Sequence, residues 1–556
     1  MDSMKNATLV FCLFVLIQFF CLNSVALAWW LPGGNMVCTE SGDQTYTALC
    51  SDGEGGAIIV WSDFRGSDRD IYAQRCEYDG DLLWDSSGIP VCTASGDQQF
   101  PKIISDGVGG AIIVWTDGRD LGLHAYAQRI DGNGNLLWPG DGLAVCAAAD
   151  NQAHPQITTD DDGGAIVVWE DYRGSDWNIY AQRIHRDGYF LWNATGELVC
   201  GEAGLQNNPQ IIYDRDSGAV IAWQDFRSGA GGIYAQRIDL TGCPLWNANG
   251  ERIDEETSEP QITTDMTHGA IIVWVENEHI CGQRISSSGN LQWVSDDTLI
   301  CDANCGQSEP QIISDGTGGA IITWEDLRQA TPKNIYAIYA QKVDEYGTAL
   351  WTHNGVPVCS ESQGERYTPV LASDQAGGAY VAWEDNRNGS WDIYAQHVDA
   401  SGNAVWNDRE SSVCLSRNSQ TALDIVTDGS GGAIIGWQDN RRGNDYDIYS
   451  SKVGGTPLEV TDIPPSCISL DNYPNPFNPS TSITYHLNSQ SQVTLKIYTC
   501  DGKLVRTLYS GNQDKGIQKV TWNGQDDECY CVESGVYFCR ITVGAETGTK
   551  KMILLR

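Results

Sequence analysis

Hydrophobic and polar positions alternate along this chain in short bursts, and one burst returns eight times. The string Gly55-Gly-Ala-Ile-Ile-Val-Trp61 recurs with small changes, ending at Trp115, Trp169, Trp223, Trp274, Trp324, Trp383 and Trp437. A continuous apolar run opened by glycine is the pattern of a strand covered on both faces. In the third unit the strand-like pieces are Pro155–Asp160, Gly164–Trp169, Asn178–Ile184, and Tyr189–Trp192 running on to Cys200. The third piece alternates Ile179, Ala181 and Arg183 against Tyr180, Gln182 and Ile184, a period of two. Turn pairs such as Asp106-Gly107 and Gly134-Asn135 suit hairpins, and helical periodicity is absent. Four antiparallel strands in each repeat predict the blade of a β-propeller.

The ends of the array predict how it closes. A Trp precedes a Cys by eight positions at Trp84–Cys92, Trp138–Cys146, Trp192–Cys200, Trp293–Cys301, Trp351–Cys359 and Trp406–Cys414. The fourth unit keeps Trp246 but has Ile253 in place of the Cys, and the last unit stops at Val453 without this piece. The same spacing stands before the first full unit, from Trp30 to Cys38. The orphan N-terminal strand is therefore expected to complete the last blade, which removes the exposed edges of an open array. The expected fold class is all-β, an eight-bladed propeller closed by an N-terminal strand over 29–454, a linker at 455–466 and a small β-sandwich at 467–556.

Composition adds the compartment. Lys5, the apolar run Leu9–Cys21 and Ala26-Leu-Ala28 read as a cleaved signal peptide at 1–28, with no membrane span after it. With 73 acidic against 34 basic residues the chain carries a net charge of -39, which excludes nucleic acid as a partner and suits an extracellular or cell-surface protein. The Cys positions recur at equivalent places in successive units, too far apart for the ~4.4–6.8 Å Cα separation of a disulfide, so small buried residues are expected.

The repeated Trp-x-Asp-x-Arg pairs are the tempting chemistry: Asp63/Arg65, Asp117/Arg119, Asp171/Arg173, Asp225/Arg227, Asp326/Arg328, Asp385/Arg387 and Asp439/Arg441. Seven copies suit a structural ion pair or turn hydrogen bond better than an active site. Turns such as Asp160-Asp-Asp-Gly163 allow calcium as the one conceivable cofactor, with a plain turn the favoured reading. The loops before the third strand vary and carry Trp177, Trp391 and Tyr446; with Glu276 and His279 of the irregular fifth unit they are the candidate ligand residues, for a glycan or a protein. A packing role for these aromatics is the competing reading.

Two resemblances follow from longer strings. Tyr473-Pro-Asn-Pro-Phe-Asn-Pro-Ser-Thr481, Val520-Thr-Trp-Asn-Gly-Gln-Asp526, Ser534-Gly-Val-Tyr-Phe538 and the final Lys550–Arg556 resemble the C-terminal sorting domain of type IX secretion substrates, related to the immunoglobulin-like domain of flagellar hook-capping proteins. That resemblance implies a bacterial secretion machinery as partner. Cys500, Cys529, Cys531 and Cys539 depart from it, and a local disulfide of unread connectivity fits the compartment. Ala127–Trp138 is similar to the tryptophan-docking motif of eight-bladed quinoprotein dehydrogenases, a motif that packs blades together. The expected function is an exported, non-catalytic binding propeller. A quinoprotein-like dehydrogenase or a glycan-acting enzyme is the alternative, and a purely structural surface protein is another.

Overall fold

The computed structural model describes residues 30–454 and 470–554, apart from 32, 121, 217, 256–258, 294–297, 329–334, 360–363, 407–410, 474–476, 478, 488–489, 500–502, 514, 528–529, 533 and 544–545. The signal peptide and linker expected above lie outside the described residues. Two compact units are present, Met1–Thr456 and Pro457–Arg556.

The first unit is all-β. Among the described residues it holds eight four-stranded antiparallel sheets, and in the first of them Gln44–Ser51, Ala57–Asp63, Asp70–Cys76 and Ile89–Cys92 pair in chain order. The eighth takes its first three strands from Gln420–Thr427, Gly432–Asp439 and Asp447–Gly454, and its fourth from Asn35–Cys38. Each first strand lies against the first strand of the next sheet, and Gln420–Thr427 lies against Gln44–Ser51. The second strands explain the apolar signature: every residue of Ala57–Asp63 is buried, because neighbouring sheets cover both faces. The core runs from sheet to sheet. Ile58, Val60 and Trp84 pack with Ile113 and Trp115 of the second sheet, and Val37, Cys38 and Ile434 pack with Ile59 and Trp61 of the first.

A strand buried on both faces tolerates a carboxylate at its end only if every lone pair is used. Asp63 accepts hydrogen bonds from Trp61 Nε1 at 2.8 Å and from the Arg65 backbone N–H and Nε at 3.0 and 2.8 Å. The Arg65 guanidinium lies 3.8 Å from the centre of the Tyr72 ring, and its Nη2 stands 3.4 Å from Cys38 Sγ. Ion pairs of the same kind form at Asp117/Arg119, Asp171/Arg173, Asp225/Arg227, Asp326/Arg328, Asp385/Arg387 and Asp439/Arg441. Each arginine reaches the Cys that ends the preceding unit, as Arg119 reaches Cys92 and Arg227 reaches Cys200. This explains Ile253: the fifth unit has no arginine at the matching position, so the Cys before it has nothing to meet. There Asn277 and Glu278, with φ of 48° and 66°, make a two-residue hairpin between Glu276 and His279.

Arg387 sits in a more crowded pair than Arg65 does. Its Nε donates to Asp385 Oδ1 at 2.9 Å, but it shares that aspartate with a second arginine, Arg366, whose Nε donates to Oδ2 at 3.0 Å. The residue across from the aspartate is a neutral glutamine in other sheets, as Gln44 faces Asp63 and Gln98 faces Asp117, whereas Arg366 faces Asp385. Arg366 is fully buried, and a buried cation takes the nearest carboxylate. The crowding shows in the neighbours. Trp383 Nε1 stands 3.3 Å from Asp385 Oδ2, against 2.8 Å for Trp61 on Asp63, and the Arg387 guanidinium lies 4.2 Å from the Tyr394 ring centre. Arg387 still reaches Cys359 Sγ, at 3.3 Å.

The structure also differs from the sequence reading of the fourth piece. Only Glu197–Cys200 is a strand in the third unit, and Trp192 stands outside it. Its Nε1 donates to the Leu240 carbonyl of the next unit at 2.8 Å, while Gly242 clears space for the indole. A straight strand would carry the ring away from that turn. Trp84, Trp138, Trp246, Trp293 and Trp351 dock alike, and Trp30 does so on the Tyr78 carbonyl at 3.0 Å.

At the far end of the first strands, the turn aspartates are consumed internally. Asp160 accepts from the Asp162 and Gly164 N–H groups through Oδ1 and pairs with Arg183 through Oδ2.

The second unit contains the sheets Leu470–Tyr473, Thr481–Leu487, Gly516–Trp522 and Leu504–Gln513, Ser491–Thr499, Gly535–Val543, Glu546–Leu554. Alternation in Ser491–Thr499 sends Val493, Leu495 and Ile497 into a core with Ile541, Met552 and Leu554. Phe477 packs on Trp522, ring centres 5.4 Å apart. The Cys539 thiol is buried there and pushed up to about 12 by burial, so it stays protonated. Cys500 and Cys529 lie outside the described residues.

Candidate functional site

The rim where the first strands begin carries a repeated backbone anomaly. Tyr46, Phe100, His154, Asn208, Glu309, Thr368 and Ala422 share one register position, and all are left-handed, with φ between 49° and 56°. None is glycine, and such residues cost about 1–3 kcal/mol each. The cause is a bulge: Gln99 pairs with Thr116 but Lys102 pairs with Val114, so one extra residue is thrown outward. All seven except the half-buried Asn208 are exposed. Glu259 is the counterpart in the fifth unit.

Carboxylates from neighbouring sheets hold several of these residues. Glu170 Oε1 accepts from the Asn208 N–H at 2.8 Å, Glu325 Oε1 from the Thr368 N–H at 2.9 Å, and Glu384 Oε1 from the Ala422 N–H at 2.6 Å. Each glutamate stands one residue before the end of the second strand of one sheet and clamps the bulge of the next. Burial pushes the Glu325 carboxyl up to about 7, helped by the charges of Glu309 and Glu384 and opposed by the bonds from Thr368 and the Ser308 hydroxyl. Glu309 is raised by partial burial first and by Glu259 second. His154, bonded through Nδ1 to Glu170 at 3.0 Å, is raised chiefly by that bond.

These shifts set a pH dependence. An acid raised in the folded state holds its proton where the unfolded chain has lost it, so stability falls as pH rises between the two values. For Glu325 the window runs from its ordinary 4.5 to about 7, and for Asp70, Asp392 and Asp447 from 3.8 to about 6. The raised His154 acts in the same direction, its contribution being full below 6.5 and lost as pH rises through its folded value. The depressed Asp225, Asp265 and Asp428 contribute above 3.8 and lose that contribution only in stronger acid. Thermal unfolding scans should therefore give a higher Tm near about pH 5.5 than near about pH 8. Glu325→Gln should flatten the difference; a Tm that climbs with pH across this range contradicts the assignment.

The candidate aromatics share a second register position on the same rim. The Trp177, Trp391 and Tyr446 carbonyls accept from the N–H groups of Gln206, Gln420 and Gln44, each the first residue of the next sheet's first strand. Trp177 packs on Tyr172 at 5.2 Å, and Trp391 packs on Tyr367 at 5.5 Å, which in turn meets Tyr336 at 5.4 Å. They stand on the third, seventh and eighth sheets and form no single pocket. His279 Nδ1 lies 3.2 Å from Gln307 Oε1, and Glu276 Oε2 lies 3.7 Å from Cys281 Sγ. Residues 329–334, in the sixth unit's loop before its third strand, lie outside the described residues.

Sequence reasoning missed the inner position altogether. Its signal was the variable residue directly before Pro in strings such as Gln98-Gln-Phe-Pro101, Gln152-Ala-His-Pro155 and Gln307-Ser-Glu-Pro310. One cleft opens there, about 360 Å³ in volume, between Phe100, Leu123, His154, Trp177 and Leu205. Among the described residues no group of His, Cys, Asp and Glu is arranged to hold a metal, and no helix is long and apolar enough to cross a membrane.

Residues 477–548 match the FlgD Ig-like domain family. No curated protein matches the chain. Among solved structures, the polysaccharide lyase PL25 ulvan lyase bound to -[GlcA(1-4)Rha3S]- is similar at 8% identity and a TM-score of 0.42, over 75% of this chain and 95% of that one. The endo-arabinase of Bacteroides thetaiotaomicron aligns at 12% identity and a TM-score of 0.26, over 53% of this chain and 90% of that one. PorZ, a bacterial surface component of the type-IX secretion system of Porphyromonas gingivalis, aligns at 12% and 0.26, over 93% of this chain and 82% of that one. These findings correct the expectation of a non-catalytic chain, since glycan-cleaving enzymes stand among the similar structures. At such identities and TM-scores each activity remains that protein's own, and what this chain shares with them is an all-β architecture of repeated sheets.

Proposed function

We propose that residues 30–454 form a closed eight-bladed β-propeller whose strand-start rim binds and cleaves a glycan, and that the C-terminal immunoglobulin-like unit carries it through type IX export to the cell surface. Support for closure comes from Asn35–Cys38 pairing in the eighth sheet and from Trp30 docking as six other tryptophans do. The observation that carries the function is the ring of exposed, left-handed residues. Strained backbone held in place by its surroundings clusters at binding and catalytic sites, and three of these positions are held by glutamates of the preceding sheet.

On the same rim, Glu309 of that ring and Glu259, its counterpart in the preceding unit, belong to adjacent units. The raised Glu309 is suited to protonate a glycosidic oxygen, and the carboxylate of Glu259 is suited to act as its ionised partner. Trp391 and Tyr367 offer faces for sugar rings. The net charge of -39, the apolar leader pattern and the family match at 477–548 support the exported setting.

The test is a panel of plant, algal and bacterial polysaccharides assayed for chain shortening and new reducing ends. Glu309→Gln is expected to lower kcat by about 10²–10⁴-fold with binding retained. Absence of cleavage across the panel, or full activity in Glu309→Gln, overturns the reading. In a host with type IX export, a chain ending at Thr456 should stay in the periplasm; its normal surface display overturns the sorting role.

A further inference from the structure

At the junction of the second and third sheets the glutamate clamp is not made, and a cleft stands there. The position after the repeated Trp is Glu170, Glu325 or Glu384 where the clamp is made, and at Ser62 the hydroxyl donates to the Gln98 carbonyl at 3.1 Å. On the second sheet it is Thr116, too short to reach His154, its counterpart on the third. Thr116 is only 6% exposed, yet its hydroxyl has no hydrogen-bond partner. Asn207 Oδ1, buried in the same cleft, has none either. Buried polar atoms without partners are destabilising and call for an explanation. Here two converge on an open space of about 360 Å³, the small end of the ~300–1,000 Å³ usual for ligand sites.

The walls say what would fill it. Trp177, Phe100, Leu123 and Leu205 are apolar, and Phe100 is braced by Tyr46 with ring centres 4.4 Å apart. Asn207 Oδ1 needs a donor, and the Thr116 hydroxyl can both donate and accept. Neither lysine nor arginine lines the space, and His154 is already engaged by Glu170 at 3.0 Å, so a carboxylate or sulfate finds no cation of its own. A ring with one apolar face and several hydroxyls meets every requirement.

We infer that this cleft is a subsite for one neutral pyranose residue, stacked on Trp177 and hydrogen-bonded through its hydroxyls to Thr116 and Asn207. The inference rests on the glycan reading of the rim, and it places the sugar one to four sheets away from the Glu259–Glu309 pair, as a holding site for the chain rather than the point of cleavage.

The experiment titrates the full chain with methyl glucoside, galactoside and mannoside, with methyl glucuronide as the anionic control, by calorimetry and by ligand-observed NMR. At least one neutral glycoside should bind and the glucuronide should not. Thr116→Val keeps the shape and removes the hydroxyl, and should weaken binding roughly tenfold. Trp177→Ala should abolish binding. Thr116→Glu, which rebuilds the clamp seen at Glu170, should also abolish it while leaving the Tm unchanged or higher, so loss of binding there is not loss of fold. Unaltered binding in Thr116→Val and Trp177→Ala, or preference for the glucuronide, overturns the subsite. Polysaccharide cleavage by the same preparations separates this outcome from failure of the glycan reading, because cleavage then persists while the cleft proves inert.

Discussion

A chain lacking residues 29–38 should lose its single cooperative unfolding transition. The deletion strips the eighth sheet of its fourth strand, whose register is Asn35 with Ser450, Met36 with Tyr449 and Cys38 with Ile448. Val37 and Cys38 are each 1% exposed and pack on Ile59, Trp61 and Ile434, so hydrophobic burial is lost from both the first and last sheets. Three further ties go with it. Trp30 Nε1 no longer reaches the Tyr78 carbonyl, Arg441 Nη2 loses the Gly33 carbonyl at 2.8 Å, and Arg65 loses Cys38. Burying one large apolar side chain is worth about 1.5–3 kcal/mol, and a net folding stability is about 5–15 kcal/mol, so the sum of these losses is of the order of the whole. The freed edge also invites pairing with another chain. Calorimetry should show a broad, early transition with aggregation. An unchanged sharp transition would mean that the strand is an accessory and the first and last sheets are held together elsewhere.

Asp117→Ala should cost about 3 kcal/mol, at the low end of the range for breaking one side of a buried pair. The carboxylate accepts from Trp115 Nε1 at 2.7 Å and from Arg119 N and Nε at 2.9 Å each, and the substitution leaves all of these donors behind. The arginine side chain is 18% exposed and sandwiched over Tyr126 at 3.9 Å, so water repays only part of the loss. Replacing both partners, as Asp117→Val with Arg119→Leu, should cost less than the single change, because no charge is then stranded. Urea unfolding of the two variants measures this. The fifth sheet supports the expectation: it has Glu276 in place of the aspartate and no matching arginine, and it still forms, with Trp274 Nε1 buried and unpartnered. A loss under about 1 kcal/mol for Asp117→Ala would reduce these seven pairs to surface ornaments.

Much of the architecture was legible in the residues because period and spacing report burial directly. A run such as Ala57–Trp61 can be apolar throughout only if both of its faces are covered, and the Trp30–Cys38 spacing could match that of Trp84–Cys92 only if the N-terminal segment did the same work. The repeated Asp and Arg announced a shared local geometry by recurring. What recurrence hid was the exception at Arg387, whose aspartate is shared because Arg366 lies across the ladder from it. The Cys residues were readable as buried, yet their arginine neighbours were not, since Cys92 and Arg119 meet across two units.

The rim was decided by tertiary structure alone. Trp177 was visible because an aromatic stands out in a polar loop, whereas His154 and Glu309 looked like ordinary strand residues. Only the bulge turns them outward, and a bulge depends on pairing with the second strand, as where Gln99 meets Thr116 and Lys102 meets Val114. The Glu325 carboxyl is raised for a similar reason: Glu309 comes from the strand beside it and Glu384 from the next sheet, and packing between them supplies the burial. Periodicity along one strand records which face is buried, a property each strand carries by itself. Strain, clamping and the cleft at Thr116 arise between sheets, where residues more than thirty positions apart compete for the same space, and no local pattern encodes the outcome.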